Sequence, residues 1–316
     1  VFRQPFVIDG KEIHIGTSIG IAVSSPVALA SEELLRNADL AMYLAKSQGK
    51  GKHIVFEAKM HEALMERIEL EEELRRGIDQ HEFVIHYQPI LDLTTNKMVG
   101  MEALVRWMHP RLGLLAPMKF IPMAEETNLI VPLGEWILGE ACRQVQEWRV
   151  KHVGKLDVAV TVNISIRQFL QAELVELVSR ALEKSGLPPN SLILEITESF
   201  MMQDTESTIE KLHELKKLGV RLAIDDFGTG YSSLKIDKSF IDKLGQGSEG
   251  NAVAKAIIMM GDSLNLKTIA EGIEHPEQIS ELQLLGCEAG QGFHFAKPLT
   301  VGDMDEFLRI RQKNNK

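Results

Sequence analysis

A mostly apolar run from Val220 to Ile224 ends on two adjacent carboxylates, Asp225 and Asp226, followed by the loop Phe227-Gly228-Thr229-Gly230-Tyr231-Ser232-Ser233. Two carboxylates held together repel unless a proton or a cation lies between them. Hard oxygen ligands favour Mg²⁺ or Mn²⁺, and a loop of Gly, Thr and Ser is flexible enough to close over a ligand. An ordinary Asp-rich turn followed by glycine is the plainer alternative. The same punctuation recurs along the chain. Val158–Val162 runs into Asn163, Leu192–Leu194 into Glu195, Thr268–Ala270 into Glu271, and Cys287–Ala289 leads to Gln291. One polar residue at the end of an apolar run is unremarkable; five in series, each able to offer an oxygen, imply a site assembled from several strands.

The elements that would position these residues read as strands alternating with amphipathic helices, for example the helix around Leu133, Trp136, Ile137, Ala141, Val145 and Trp148. Polar residues at the C-terminal ends of successive parallel strands are the signature of a (β/α)₈ barrel. Its first two strands, Phe83–Tyr87 and Met98–Val105, are separated by the short polar turn Thr94-Thr95-Asn96, so they should form an antiparallel hairpin. Asn163, Glu195 and Asp225 follow one another at roughly 30 residues, one strand–helix unit each. Asp225 to Glu271, roughly 46 residues, must hold another strand at Lys235-Ile236-Asp237 and two crossovers. A parallel crossover takes about 10–12 residues or more, so the spacing predicts that about a dozen residues are omitted between Leu234 and Lys235.

The formal net charge of −10 argues against broad electrostatic binding of a nucleic-acid polymer. Cys142 and Cys287 lack paired spacing and read as small core residues of a reducing, cytoplasmic interior. No apolar run approaches the roughly 18 residues that span a bilayer. The chain opens on Val1 inside what reads as folded sequence, which leaves room for a sensor or membrane anchor upstream. His86, His109 and His294 show no metal spacing and read as packing or surface residues.

Residues 1–57 contain an alternating stretch ending in Thr17-Ser18-Ile19-Gly20-Ile21-Ala22, a helix over Leu34–Lys46 with Asn37-Ala38-Asp39, and a short strand at His53–Phe56. These words resemble the C-terminal half of a GGDEF (diguanylate cyclase) domain, an α+β fold. The signature that names that family is absent, so cyclase activity is not carried over. Residues 58–80 read as a linking helix with the stripe Leu64, Met65, Ile68, Leu74 and Ile78. The tripeptide Glu62-Ala63-Leu64 within it has no strand-end position and no chemistry assigned to it.

Residues 81–311, ahead of a tail at 312–316, resemble an EAL domain, the cyclic-di-GMP phosphodiesterase family. The words that carry the resemblance are Tyr87-Gln88-Pro89, Glu102-Ala103-Leu104-Val105-Arg106-Trp107, Phe120–Glu125, Val162–Ser165, Leu194–Glu198, Asp225–Ser233, Lys235-Ile236-Asp237, Ala270–Glu274 and Gln291-Gly292-Phe293. The resemblance implies a modified barrel whose first strand is antiparallel, and two divalent cations, Mg²⁺ or Mn²⁺. Glu102, Asn163, Glu195 and Asp225 would hold one; Asp225, Asp226 and Glu271 would hold or orient the other. Paired ions of this kind activate water for in-line displacement at phosphorus. Lys235 would hydrogen-bond or deprotonate that water, Arg106 would bind a phosphate oxygen, and Gln88 and Leu104 would contact the substrate. Glu198 would brace the loop after Asp226, with Glu274 and Gln291 in support.

Charge supports the cations. Glu102, Glu195, Asp225, Asp226 and Glu271 with the two phosphodiesters of the substrate carry far more negative charge than Arg106 and Lys235 offset. The implied activity is hydrolysis of cyclic di-GMP to linear 5′-pGpG in a homodimer associating through the EAL domain. A receptor that binds without hydrolysing, or a dimeric regulatory scaffold, is the alternative.

Overall fold

The structure, a computed structural model, describes residues 6–8, 11–13, 16–24, 31–47, 51–152, 158–197, 205–225, 233–244, 248–263 and 266–314. By the density of its internal contacts the chain divides into Val1–Glu73 and Leu74–Lys316.

In the first unit, β1 (Phe6–Ile8) and β2 (Lys11–Ile13) pair antiparallel. Strand β3 (Ile19–Ile21) pairs parallel with β4 (His53–Val55), and α1 (Ser31–Ser47) connects them. Two acidic residues open that helix and Lys46 closes it, each on the side its dipole favours. Ala41 and Ala45 are fully buried on its inner face. Helix α2 (Lys59–Asp79) follows and carries Glu62.

The second unit is an eight-stranded closed sheet. Its strands are β5 (Phe83–Asp92), β6 (Met98–His109), β8 (Ala159–Ile164), β9 (Leu192–Thr197), β10 (Arg221–Asp225), β11 (Ser233–Ile236), β12 (Lys267–Ala270) and β13 (Ala289–Gly290), with the short β7 (Gly113–Leu115) added to the far end of β6. Strand β5 runs antiparallel to both its neighbours, β6 and β13. The others run parallel in chain order. This is the expected modified (β/α)₈ barrel with a reversed first strand. The turn between β5 and β6 is held by Asp92, whose Oδ1 accepts from Thr94 N, Thr95 N and Thr95 Oγ1.

Helices α3 (Ile121–Glu126), α4 (Ile130–Lys151), α5 (Ile166–Phe169), α6 (Leu174–Ser185), α7 (Thr205–Lys217), α8 (Lys238–Ile241), α9 (Ser248–Ser263), α10 (Pro276–Leu285) and α11 (Val301–Asn314) lie between and after the strands. The predicted stripe of α4 is buried at Leu133, Ile137, Ala141, Val145 and Trp148. Both cysteines are free and buried, as expected for core residues.

Leu234 and Lys235, between which an omitted segment is expected, are consecutive in the sequence and both lie in β11. Among the described residues, Leu234 of β11 lies opposite Ile224 of β10.

Candidate active site

Six strands bring one cluster together at the C-terminal end of the barrel. In β6, Glu102 lies opposite Gln88 of β5 and beside Thr161 of β8. In β8, Asn163 is level with Glu195 of β9. Lys235 comes from β11, and Glu271 and Gln291 immediately follow β12 and β13. The last two are placed by backbone: Glu271 N donates to Ile236 O at 2.9 Å, and Gln291 N to Ala270 O at 2.8 Å. Gly272, next to Glu271, has φ +70° and touches the Lys238 stem so closely that a Cβ would overlap it. A side chain there would face both strain and collision.

At the centre is the Lys235 ammonium. Its Nζ lies 2.5 Å from Glu195 Oε1, 2.6 Å from Glu271 Oε1 and 3.9 Å from Glu102 Oε1. Asn163 Nδ2 donates to Glu102 Oε1 at 2.8 Å. Gln291 Nε2 donates to Glu102 Oε2 at 2.7 Å and to Glu271 Oε1 at 3.1 Å, tying two carboxylates to one amide. Glu102, Glu195, Lys235 and Gln291 are all buried. Burial alone would discharge Lys235, but Glu102, Glu195 and Glu271 outweigh it and hold the ammonium well above its ordinary pKa. Burial pushes the Glu195 carboxyl up to about 8, against the pull of Lys235.

Among the described residues, no group of three or more His, Cys, Asp or Glu is arranged to hold a metal ion, because Lys235 stands between the carboxylates. The donors nevertheless suit one. Glu102, Glu195, Glu271 and the Asn163 amide are hard oxygen donors, and Glu195 Oε2 is enclosed without a hydrogen-bond partner, the Lys235 ammonium meeting Oε1. Asp225 ends β10 beside Thr197 of β9. Its side chain, and the whole of Asp226 and Glu198, lie outside the described residues.

Other predicted site residues stand around this cluster. Arg106 is half-buried, and its Nη1 donates to the Val105 carbonyl at 2.8 Å. Leu104 shares its face of β6. Gln88 is buried, and its Nε2 donates to Ala296 O at 3.1 Å, so one end of its amide is committed to the backbone. Glu274 pairs with Lys238 at 3.1 Å, at the start of α10 rather than in the cluster. His109 is a turn residue, its Nδ1 accepting from Arg111 N and Leu112 N. His86 is half-buried on the Glu102 face of the β5–β6 ribbon, opposite Leu104. The signal was its two-residue spacing from Gln88, which strand alternation assigns to one face.

Comparison with known proteins fits this geometry. The EAL domain family profile matches residues 71–298, and that of the diguanylate cyclase GGDEF domain matches residues 1–52. The chain is 43% identical over 307 residues to the bifunctional diguanylate cyclase/cyclic di-GMP phosphodiesterase MucR of Pseudomonas aeruginosa, covering 94% of this chain and 44% of MucR. It is 38% identical to the cyclic di-GMP phosphodiesterase NbdA of the same organism, over 97% of this chain and 40% of NbdA. It thus spans less than half the length of these relatives. The NbdA match runs over 318 positions, more than the 316 residues of this chain, so NbdA carries positions that this chain lacks. The solved structure of the PaMucR phosphodiesterase in complex with c-di-GMP superposes with a TM-score of 0.70 at 42% identity, covering 75% of this chain and 99% of that one. The EAL enzyme Bd1971, bound to cAMP and cyclic-di-GMP, gives 0.74 at 31% identity, covering 89% and 77%. With its profile match spanning most of the sequence and its barrel shared with these structures, the chain belongs to the EAL domain family.

Proposed function

We propose that this chain hydrolyses cyclic di-GMP to linear 5′-pGpG with two divalent cations, Mg²⁺ or Mn²⁺. The observation that carries the reading is the convergence of Glu102, Asn163, Glu195 and Glu271 around Lys235 at the mouth of the barrel, in a chain similar to named cyclic di-GMP phosphodiesterases. Glu102, Asn163, Glu195 and Asp225 would hold one ion, and Asp225, Asp226 and Glu271 the other. Bound ions supply Lewis acidity at the phosphoryl oxygens and lower the pKa of water.

The chain's own residues do the rest. Asn163 and Gln291 orient Glu102, and Gln291 also fixes Glu271 relative to it. Lys235 would hydrogen-bond or deprotonate the attacking water and offset negative charge at phosphorus. Arg106, on the open face above Glu102, is a cation for the non-bridging phosphate oxygens. In the reaction a water oxygen bonds to phosphorus while the P–O3′ bond breaks, and the departing 3′ oxygen takes up a proton. The product is a linear dinucleotide with a 5′ phosphate.

The chain also works as a homodimer in this reading. Support comes from the outward stripe of α9, where Ala252, Val253, Ala256 and Met259 are exposed, Met259 at 58%. Light scattering that returns only the monomer mass would remove the dimer. For the activity, purified protein is incubated with cyclic di-GMP and Mg²⁺, with and without chelator. Linear pGpG that disappears with chelator is expected. Tight binding without any linear product would make the chain a receptor instead.

A further inference from the structure

The β5–β6 ribbon continues beyond the carboxylate cluster toward the barrel mouth with two unlike faces. Phe83, Ile85, Tyr87, Ala103, Val105 and Trp107 are buried. The opposite face carries Gln88 and Glu102, then His86 opposite Leu104, then Val84 opposite Arg106. All four of these outer residues are half-buried. This face starts at Glu102 and leads outward, so it is a surface open to a dinucleotide seated on the cluster.

On that surface Arg106 is a donor and Leu104 and Val84 are apolar, whereas His86 is held in one hydrogen-bonding state. One ring nitrogen bonds to the backbone carbonyl of Pro298. A proline carbonyl only accepts, so this nitrogen carries the hydrogen. Burial and then the Arg106 charge lower the His86 pKa, which keeps the ring neutral near pH 7, although the Pro298 carbonyl and Asp303 pull the other way. The second ring nitrogen is therefore a fixed acceptor. It cannot serve a phosphodiester, which has no hydrogen to donate. It can serve guanine, whose N1–H is a donor where adenine N1 presents a lone pair.

We propose that His86 is a specificity-determining residue whose free ring nitrogen accepts a hydrogen bond from the guanine N1–H of the bound dinucleotide and rejects adenine at that position. This rests on the cyclic di-GMP reading above. A polar group placed to pair with a substrate N–H discriminates strongly against an analogue that lacks it, because the buried acceptor is left without a partner.

The test is calorimetric binding of cyclic di-GMP and of cyclic di-AMP in the presence of Ca²⁺, together with kcat and KM for cyclic di-GMP in Mg²⁺. His86→Ala should weaken cyclic di-GMP binding about tenfold or more, leave cyclic di-AMP binding unchanged or improved, and raise KM with little change in kcat. His86→Gln keeps a carbonyl acceptor and should recover part of the preference, and it stands in should the alanine variant fail to fold. Equal weakening of both dinucleotides would show that His86 only anchors the Pro298 segment, and the proposal falls. Unchanged affinity for both would also overturn it. If the unsubstituted protein binds cyclic di-GMP without cleaving it, the phosphodiesterase reading fails, but the binding comparison still decides the role of His86. If it does not bind cyclic di-GMP at all, both fail.

Discussion

Lys235 is a buried cation among three carboxylates, and its removal leaves those charges uncompensated. Breaking a buried ion pair from one side costs about 3–5 kcal/mol. Lys235→Met should therefore lower unfolding free energy by about that amount in urea titration with chelator present, and divalent cations should restore part of it. No loss in chelator would mean that the ammonium does not neutralise the cluster. Asn163 would hold an ion through its amide oxygen, and its amide nitrogen also holds one Glu102 oxygen at 2.8 Å. Supporting contacts of this kind are worth about 10- to 100-fold in metal affinity or activity, so Asn163→Ala should reduce kcat/KM by that much while the protein stays folded by circular dichroism. The types of these residues were legible in the sequence because each stands at or beside a strand end. Which hydrogen bonds they make was not: the double grip of Gln291 and the central place of Lys235 depend on strands far apart in the chain.

At the scale of elements, the hairpin and the last helix carry their own tests. Asp92 accepts three hydrogen bonds that close the β5–β6 turn, and they hold its carboxyl below the ordinary value, with the Thr95 backbone contribution largest. Asp92→Ala should cost about 1 kcal/mol in chemical denaturation; an unchanged midpoint would show that the turn holds without it. Helix α11 is tied to the end of α4 through Asp305, which meets Lys151 Nζ at 2.6 Å and His152 Nε2 at 3.1 Å. The bond from Lys151, more than any other contact, depresses the Asp305 pKa. A depressed carboxylate contributes stability above its unfolded value, about pH 4, and loses it as pH falls through the folded value. The Tm difference between wild type and Asp305→Asn should thus be present at pH 6 and close below about pH 4. A difference that persists at low pH would assign the effect to packing. These contacts join residues roughly 150 positions apart, beyond the reach of local pattern.

For the molecule as a whole, the barrel was readable because the hydrophobic period changes from helix to strand in regular units and because a short turn forces β5 against β6. The approach of β10 to β11 was not. Spacing alone demands a longer crossover between Asp225 and Lys235, and residues 226–232 lie outside the described residues. The two tripeptides Glu62-Ala63-Leu64 and Glu102-Ala103-Leu104 look alike in sequence, yet one lies in α2 and the other in a barrel strand facing Asn163, Gln291 and Lys235. That contrast gives the most direct measurement: cyclic di-GMP turnover in Mg²⁺ by Glu102→Ala beside Glu62→Ala. Formation of pGpG should vanish in the first and persist at the wild-type rate in the second; full turnover by Glu102→Ala would contradict the account.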